Sequence, residues 1–223
     1  MQFNIVYSIG IRCYTELILK RLNLIKFSSI FGSINIKNTN NFIQCIQNID
    51  LLFDESQHVY TKDIQCMNRY NKKHGFRTIH RKFDDINDYH SSTIAHHDLS
   101  DIKNKNHFKR GIERLNVIKK NNIPILFVQI SHETEFNNSI RNDKLTENII
   151  NAGFNNMTVL SIYLFTGNLI NEEIQFYENH IYCSIKIESS YDSNLVDDKI
   201  SKVLDKLFNL SNLITKEELD NLL

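Results

Sequence analysis

The sequence predicts an α/β domain: a three-layer sandwich with a mostly parallel central sheet, helices on both faces, and a long irregular insert at about residues 54–106. Three observations predict it. From residue 107 onward, helical and strand-like segments alternate. The strand-like segments "PILFVQIS", "MTVLSIYLF" and "IYCSIKI" are apolar throughout rather than at every second position. Strands of that kind need both faces of their sheet covered. Helices between them supply the cover, as they do in βαβ units.

The elements follow in order. "QFNIVYSIG" is rich in β-branched and aromatic residues and closes on Gly10, the pattern of a buried first strand. In "CYTELILKRLNL", Ile18 and Leu22 form an apolar pair at helical spacing, which predicts a helix. Phe42, Ile46, Ile49 and Phe53 recur at helical spacing and predict a second helix over 41–53. Between 54 and 106 the periodicity fails, and five histidines fall there: His74, His80, His90, His96 and His97. Phe108, Ile112, Leu115 and Ile118 then mark one face of a helix running to about 120, followed by an "NNIP" turn. "DKLTENIINAG" reads as a helix with Gly153 in the C-capping position. A long helix carrying Leu195, Val203, Leu207 and Leu210 follows the last strand. "TKEELDNLL" adds a short one, with Thr215 and Glu218 set as a capping box. Strands near 3–9, 124–130, 157–165 and 181–187 are expected in one sheet, the first three parallel. With no internal repeat and a single proline, residues 1–223 read as one domain.

Composition narrows the function. Lys and Arg total 26, as do Asp and Glu, so the formal net charge is zero. A broad basic footprint is absent, and no nucleic-acid partner is expected. No apolar run approaches the ~20 residues that span a bilayer, so no membrane partner is expected either. Cys13, Cys45, Cys66 and Cys183 are widely spaced without a CxxC pair, which suits reduced thiols. No signal peptide precedes the first strand, and a cytoplasmic protein is expected. Cys66, His74 and His80 match no standard zinc spacing. There is no P-loop and no GxGxxG, so neither metal nor cofactor is expected.

Candidate chemistry gathers around Cys13. Open parallel sheets bind ligands at the carboxyl ends of their strands, and residues 8–13 occupy such a place. A cysteine at a helix N-terminus has its thiol pKa lowered by the dipole, and Arg12 pushes the same way. Gly10 permits a tight turn that brings backbone N–H groups toward an oxyanion. The alternative is that Cys13 only packs, as free cysteines commonly do. A nucleophile needs a base, and the loop histidines His97, His96 and His80 are candidates. Ser131 and His132, closing the "PILFVQIS" strand, are candidate substrate-binding groups together with Ser8, Gly10 and Arg12.

These residues also carry a resemblance. "SIGIRC" is similar to the S-[LI]-G-x-x-C opening of a papain-like cysteine peptidase family from bacteria and large DNA viruses, largely of unknown function. "SSIFGSI" falls where that family carries S-x-P-F-D-W-I. "NHFKRGIERLNVIKKNNIPILFVQIS" resembles its [YF]-x-R-x-x-x-R-[FL] helix and following strand, with Arg110 and Arg114 at the two arginine positions. The likeness covers roughly residues 4–165. It implies a Cys-dependent hydrolase of peptides or acyl substrates, with Cys13 as nucleophile and His97, His96 or His80 as base. If the chain is viral, it implies action in the host cytoplasm. Ile30-Phe31-Gly32-Ser33 replaces Pro-Phe-Asp-Trp, so a degenerate, non-catalytic binding module is the alternative. The papain-like name implies a helical half against an antiparallel barrel-like half, whereas the element pattern predicts a parallel sheet resembling SGNH-hydrolase folds. In that version Ser8 competes with Cys13 as nucleophile.

Overall fold

The computed structural model describes residues 1–9, 14–33, 45–62, 76–81, 94–95, 99–132, 144–167, 172–188 and 193–223. The first strand, β1 (Ile5–Ser8), is buried at every position. Helix α1 (Tyr14–Arg21) follows, then a 3-10 turn at Phe31–Ser33 and a short helix α2 (Ile49–Leu52). Three short strands come next: β2 (His58–Lys62), β3 (Phe76–His80) and β4 (Ile94–Ala95). The second half runs through α3 (Ile102–Lys120), β5 (Ile125–His132), α4 (Lys144–Asn151) and β6 (Met157–Phe165). It ends with β7 (Glu173–Tyr177), β8 (His180–Lys186), α5 (Ser193–Leu207) and α6 (Lys216–Asp220).

The main sheet has five strands in the order β1-β5-β6-β8-β7. β1, β5, β6 and β8 are parallel, and only β7 runs against its neighbour. This is the predicted mostly parallel α/β sheet, with all four foreseen strands in it. Alternation along the strands sorts the core. Tyr7, Phe127 and Val159 pack with Phe108 and Leu115 of α3, Ile149 of α4 and Leu219 of α6. Val6, Val128 and Ile162 pack with Ile18 and Leu19 of α1 and Ile200 and Leu204 of α5.

Several expectations are corrected. β7 was not foreseen: "EIQFY" lies at the sheet edge with exposed or half-buried side chains, so it lacks the apolar run that betrayed its neighbours. The segment 54–106 is not without regular structure, because β2, β3 and β4 form an antiparallel three-stranded sheet. Those strands span five, five and two residues, too short for periodicity to register. Helix α3 begins at Ile102, earlier than its apolar face suggests, because Asp101 caps it by accepting from the Lys103 N–H at 2.8 Å. Leu210 lies beyond the end of α5. Of the helix predicted over 41–53, residues 41–44 lie outside the described residues. Other terminal signals read correctly. Gly153 has φ +96° after α4, and Thr215 with Glu218 forms the reciprocal capping box of α6.

The outer edge of β1 is not open. Asn209 and Gln2 form a parallel bridge, the Asn209 N–H donates to Met1 O at 2.8 Å, and the Ile214 N–H donates to Asn4 O at 2.8 Å. The opposite edge, β7, exposes Phe176 and Tyr177.

Candidate functional site

The candidate site is built where β1 ends and β5 continues. β1 pairs with β5 as far as Ser8 opposite Val128, and the Ile9 N–H donates to Val128 O at 2.8 Å. β5 then runs four residues further, to His132. Its exposed ladder groups are taken over by helix α1. The Ile130 N–H donates to Thr15 Oγ1 at 3.0 Å, and the same hydroxyl donates to Ile130 O at 3.4 Å. One buried threonine thus replaces a strand neighbour and pins the first turn of α1 to β5. Beside it the rings of Tyr14 and His132 lie 4.8 Å apart. The far end of α1 is fixed by Arg21, which donates to both carboxylate oxygens of Asp197 on α5 at 2.5 and 2.7 Å.

A second wall is the segment before the 3-10 turn. The Ser29 hydroxyl donates to Ser8 O at 2.8 Å and accepts from the Phe31 and Gly32 N–H groups. The Ile30 N–H donates to the Tyr7 phenol at 3.0 Å, and burial pushes that phenol far above its ordinary pKa. Gly111 of α3 gives the backbone close access here, since a Cβ there would collide with Ile30.

The site residues named from sequence divide as follows. Gly10, Arg12, Cys13, His96 and His97 lie outside the described residues, as do Cys66 and His74. Ser8 and Ser131 are buried, and the hydroxyl of each has no hydrogen-bond partner among the described residues. Ser131 and His132 are successive residues of β5, so their side chains leave on opposite faces of the sheet. Ser8 and His132 belong to the face that carries α1. His80 sits elsewhere: it is fully buried, its Nε2 is 2.9 Å from Leu51 O, and it pairs across β2–β3 with His58, whose Nε2 is 2.8 Å from Leu52 O. Both imidazoles cap the carboxyl end of α2.

Sequence reading missed two groups. Glu16, in the first turn of α1, is buried beside the 3-10 turn and pairs with Lys20. His107 of α3 has its pKa lowered, by burial first and then by the cations Arg110, Arg114 and Lys20. Neither shows in a pattern, because Glu16 looks like a first-turn carboxylate and His107 like a polar helix residue. A third arrangement spans the sheet. Gln129 Nε2 donates to Ser161 Oγ at 2.5 Å, Ser161 Oγ lies 2.7 Å from His180 Nε2, and His180 Nδ1 lies 3.1 Å from Thr146 Oγ1. Among the described residues no group of three or more His, Cys, Asp or Glu side chains could hold a metal ion, and no helix is long and apolar enough to cross a membrane.

A family model described as "Putative papain-like cysteine peptidase" matches residues 4–163. The chain belongs to this family. The family span takes in β1, α1, the 3-10 turn, α3 and β5, and so every described wall of the site. β7, β8, α5 and α6 lie beyond it. The family's name evokes an antiparallel barrel-like half, whereas the sheet of this member is parallel except at β7. No curated protein and no solved structure matches the chain.

Proposed function

We propose that the protein is a cytoplasmic Cys-dependent hydrolase acting on peptide or acyl substrates, with no nucleic-acid or membrane partner and no cofactor. Cys13 attacks the carbonyl carbon, His97 or His96 takes the thiol proton and returns it to the leaving group, and N–H groups near Gly10 hold the oxyanion. Ser8, Arg12, Ser131 and His132 bind the substrate. The observation that carries the reading is the anchoring of α1. Cys13 is the chain neighbour of Tyr14, and consecutive Cα atoms are about 3.8 Å apart. Tyr14 itself is held against His132 at the carboxyl end of β5, where parallel sheets collect their functional groups. Of the three histidines proposed as base, His80 is already committed to Leu51 O, which favours His96 and His97. Among the described residues no imidazole bonds the Ser8 hydroxyl that the alternative would use as nucleophile. Gly32 and Ser33, standing where the family motif carries Asp-Trp, favour a non-catalytic binding module as the second reading.

The test compares wild type with Cys13→Ala on a panel of fluorogenic peptide amides and acyl esters, alongside iodoacetamide labelling mapped by mass spectrometry. Hydrolysis should vanish in the variant while its melting temperature stays close to that of wild type. Cys13 should label faster at neutral pH than Cys45 or Cys183. Both of those are buried, and burial pushes the Cys183 thiol up to about 11. Unchanged turnover in Cys13→Ala would sink the hydrolase reading. A wild type inert on the whole panel, with Cys13 labelling like an ordinary thiol, would leave the binding module.

A further inference from the structure

Gly32 and Glu16 touch in an unusual way. A Cβ added to Gly32 would coincide with the Glu16 carboxylate oxygen Oε2, overlap its Cδ, and lie 2.9 Å from its Cβ. The carboxylate of Glu16 therefore occupies the space into which any side chain at position 32 would grow. That oxygen is buried and has no hydrogen-bond partner among the described residues, while Oε1 pairs with Lys20. Position 32 is also where the S-x-P-F-D-W-I motif places its aspartate, and here the residue is Gly32. A side chain that only needed to solubilise the first turn of α1 would point to water.

We infer that positions 16 and 32 share one carboxylate slot, filled in this chain from helix α1 rather than from the 3-10 turn, and that Glu16 is a positioning carboxylate of the candidate site. The second half of this inference rests on the hydrolase reading above; the first does not. Burial raises the Glu16 carboxyl above its ordinary pKa, and Lys20 works against that rise. Among the described residues the Tyr7 phenol of β1 also feels the Glu16 charge, and Arg114 of α3 acts on that phenol. His107 of α3 faces the same Lys20. Lys20 is the cation paired with the Glu16 carboxylate.

The experiment is a double-mutant cycle on the full chain: Glu16→Gly, Gly32→Asp and the exchange Glu16→Gly/Gly32→Asp, with Glu16→Gln added. Melting temperatures read the slot. Gly32→Asp alone forces two carboxylates into one space and should melt well below wild type. The exchange should melt above Gly32→Asp, and its loss should fall short of the summed single losses by at least about 4 °C. The cycle cancels the helix cost of a glycine at 16. Strict additivity would overturn the shared slot.

The pH profile of Cys13 alkylation reads the positioning role. Glu16 and Cys13 are three residues apart, so their Cα atoms lie within about 11 Å of each other. Removing that negative charge in Glu16→Gln should move the alkylation midpoint down by about half a pH unit. The exchange variant, with the carboxylate returned from position 32, should restore the wild-type midpoint. An unmoved midpoint in Glu16→Gln would overturn the positioning role while leaving the melting result intact. A wild-type thiol of ordinary reactivity would count against the hydrolase reading alone, because an ordinary thiol still reports the shift.

Discussion

Replacing Thr15 by valine should loosen the candidate site more than its size suggests. Valine matches threonine in volume, so the packing of α1 on β5 survives and only the hydroxyl is lost. That hydroxyl accepts from the Ile130 N–H at 3.0 Å and donates to Ile130 O at 3.4 Å, in a place where Thr15 is 1% exposed. Without it, both backbone groups of Ile130 are stranded beyond the end of β1. An unmet buried polar group costs about 1–3 kcal/mol, and the longer second bond adds little, so about 2 kcal/mol is expected. For a chain of this size that is about 4–8 °C in melting temperature. Thr15→Ser is the control. It keeps the hydroxyl and loses one buried methyl group, about 0.8 kcal/mol. Urea denaturation of the three proteins gives the comparison, with equal slopes licensing it. If Thr15→Val proves as stable as Thr15→Ser, the hydroxyl is not what ties α1 to β5, and the account of the site's construction fails.

Two further outcomes follow from polar groups bonded in and at the edge of the core. Arg114, 5% exposed, donates to both oxygens of Asp220 at 2.6 and 2.8 Å, and that bonding holds the Asp220 carboxyl below its ordinary pKa. A depressed folded-state pKa stabilises above the unfolded value of about 3.9, and the benefit disappears as pH falls through the folded one. Asp220→Asn should therefore melt below wild type at pH 7, with the gap closing below about pH 4; a gap independent of pH would refute the ion pair's role. Ser161→Ala removes the hydroxyl between Gln129 and His180 and should lower unfolding free energy by about 1–3 kcal/mol in urea titrations. A neutral result would mean that this chain of hydrogen bonds across β5, β6 and β8 contributes nothing to stability.

The fold was legible wherever burial is symmetrical. "PILFVQIS" and "MTVLSIYLF" are buried at nearly every position, and a strand covered on both faces writes that directly as an apolar run. β7 is the converse case: its cross-strand partners lie on β8 alone, and an edge strand facing solvent has no such run to show. The short strands β2 to β4 depend on pairing between segments distant in sequence, such as His58 with His80, which no local window contains. At the site, the prominence of Ser8, Ser131 and His132 at strand ends could be read from their place after apolar runs. Glu16 could not, because its burial depends on the absence of a side chain at Gly32, sixteen positions later. An absent atom leaves no mark in a periodicity. The place of His80 was hidden for a related reason: a loop-segment histidine and a histidine capping α2 are spelled alike.

The seam along β1 has a consequence for how the molecule is made. β1 is synthesised well before its inner neighbour β5, which lies more than a hundred residues later, and its outer edge is closed by residues 209–214. Until residues 209–214 emerge, the outer backbone donors and acceptors of β1 stay available to any passing extended chain. A ribosome-stalled or proteolytically shortened product lacking residues 209–214 would carry the family span intact and still present an unsealed strand beside its thiol-bearing segment. Quality control would meet that species as a sticky fragment, whereas a chain with residues 209–214 in place would pass.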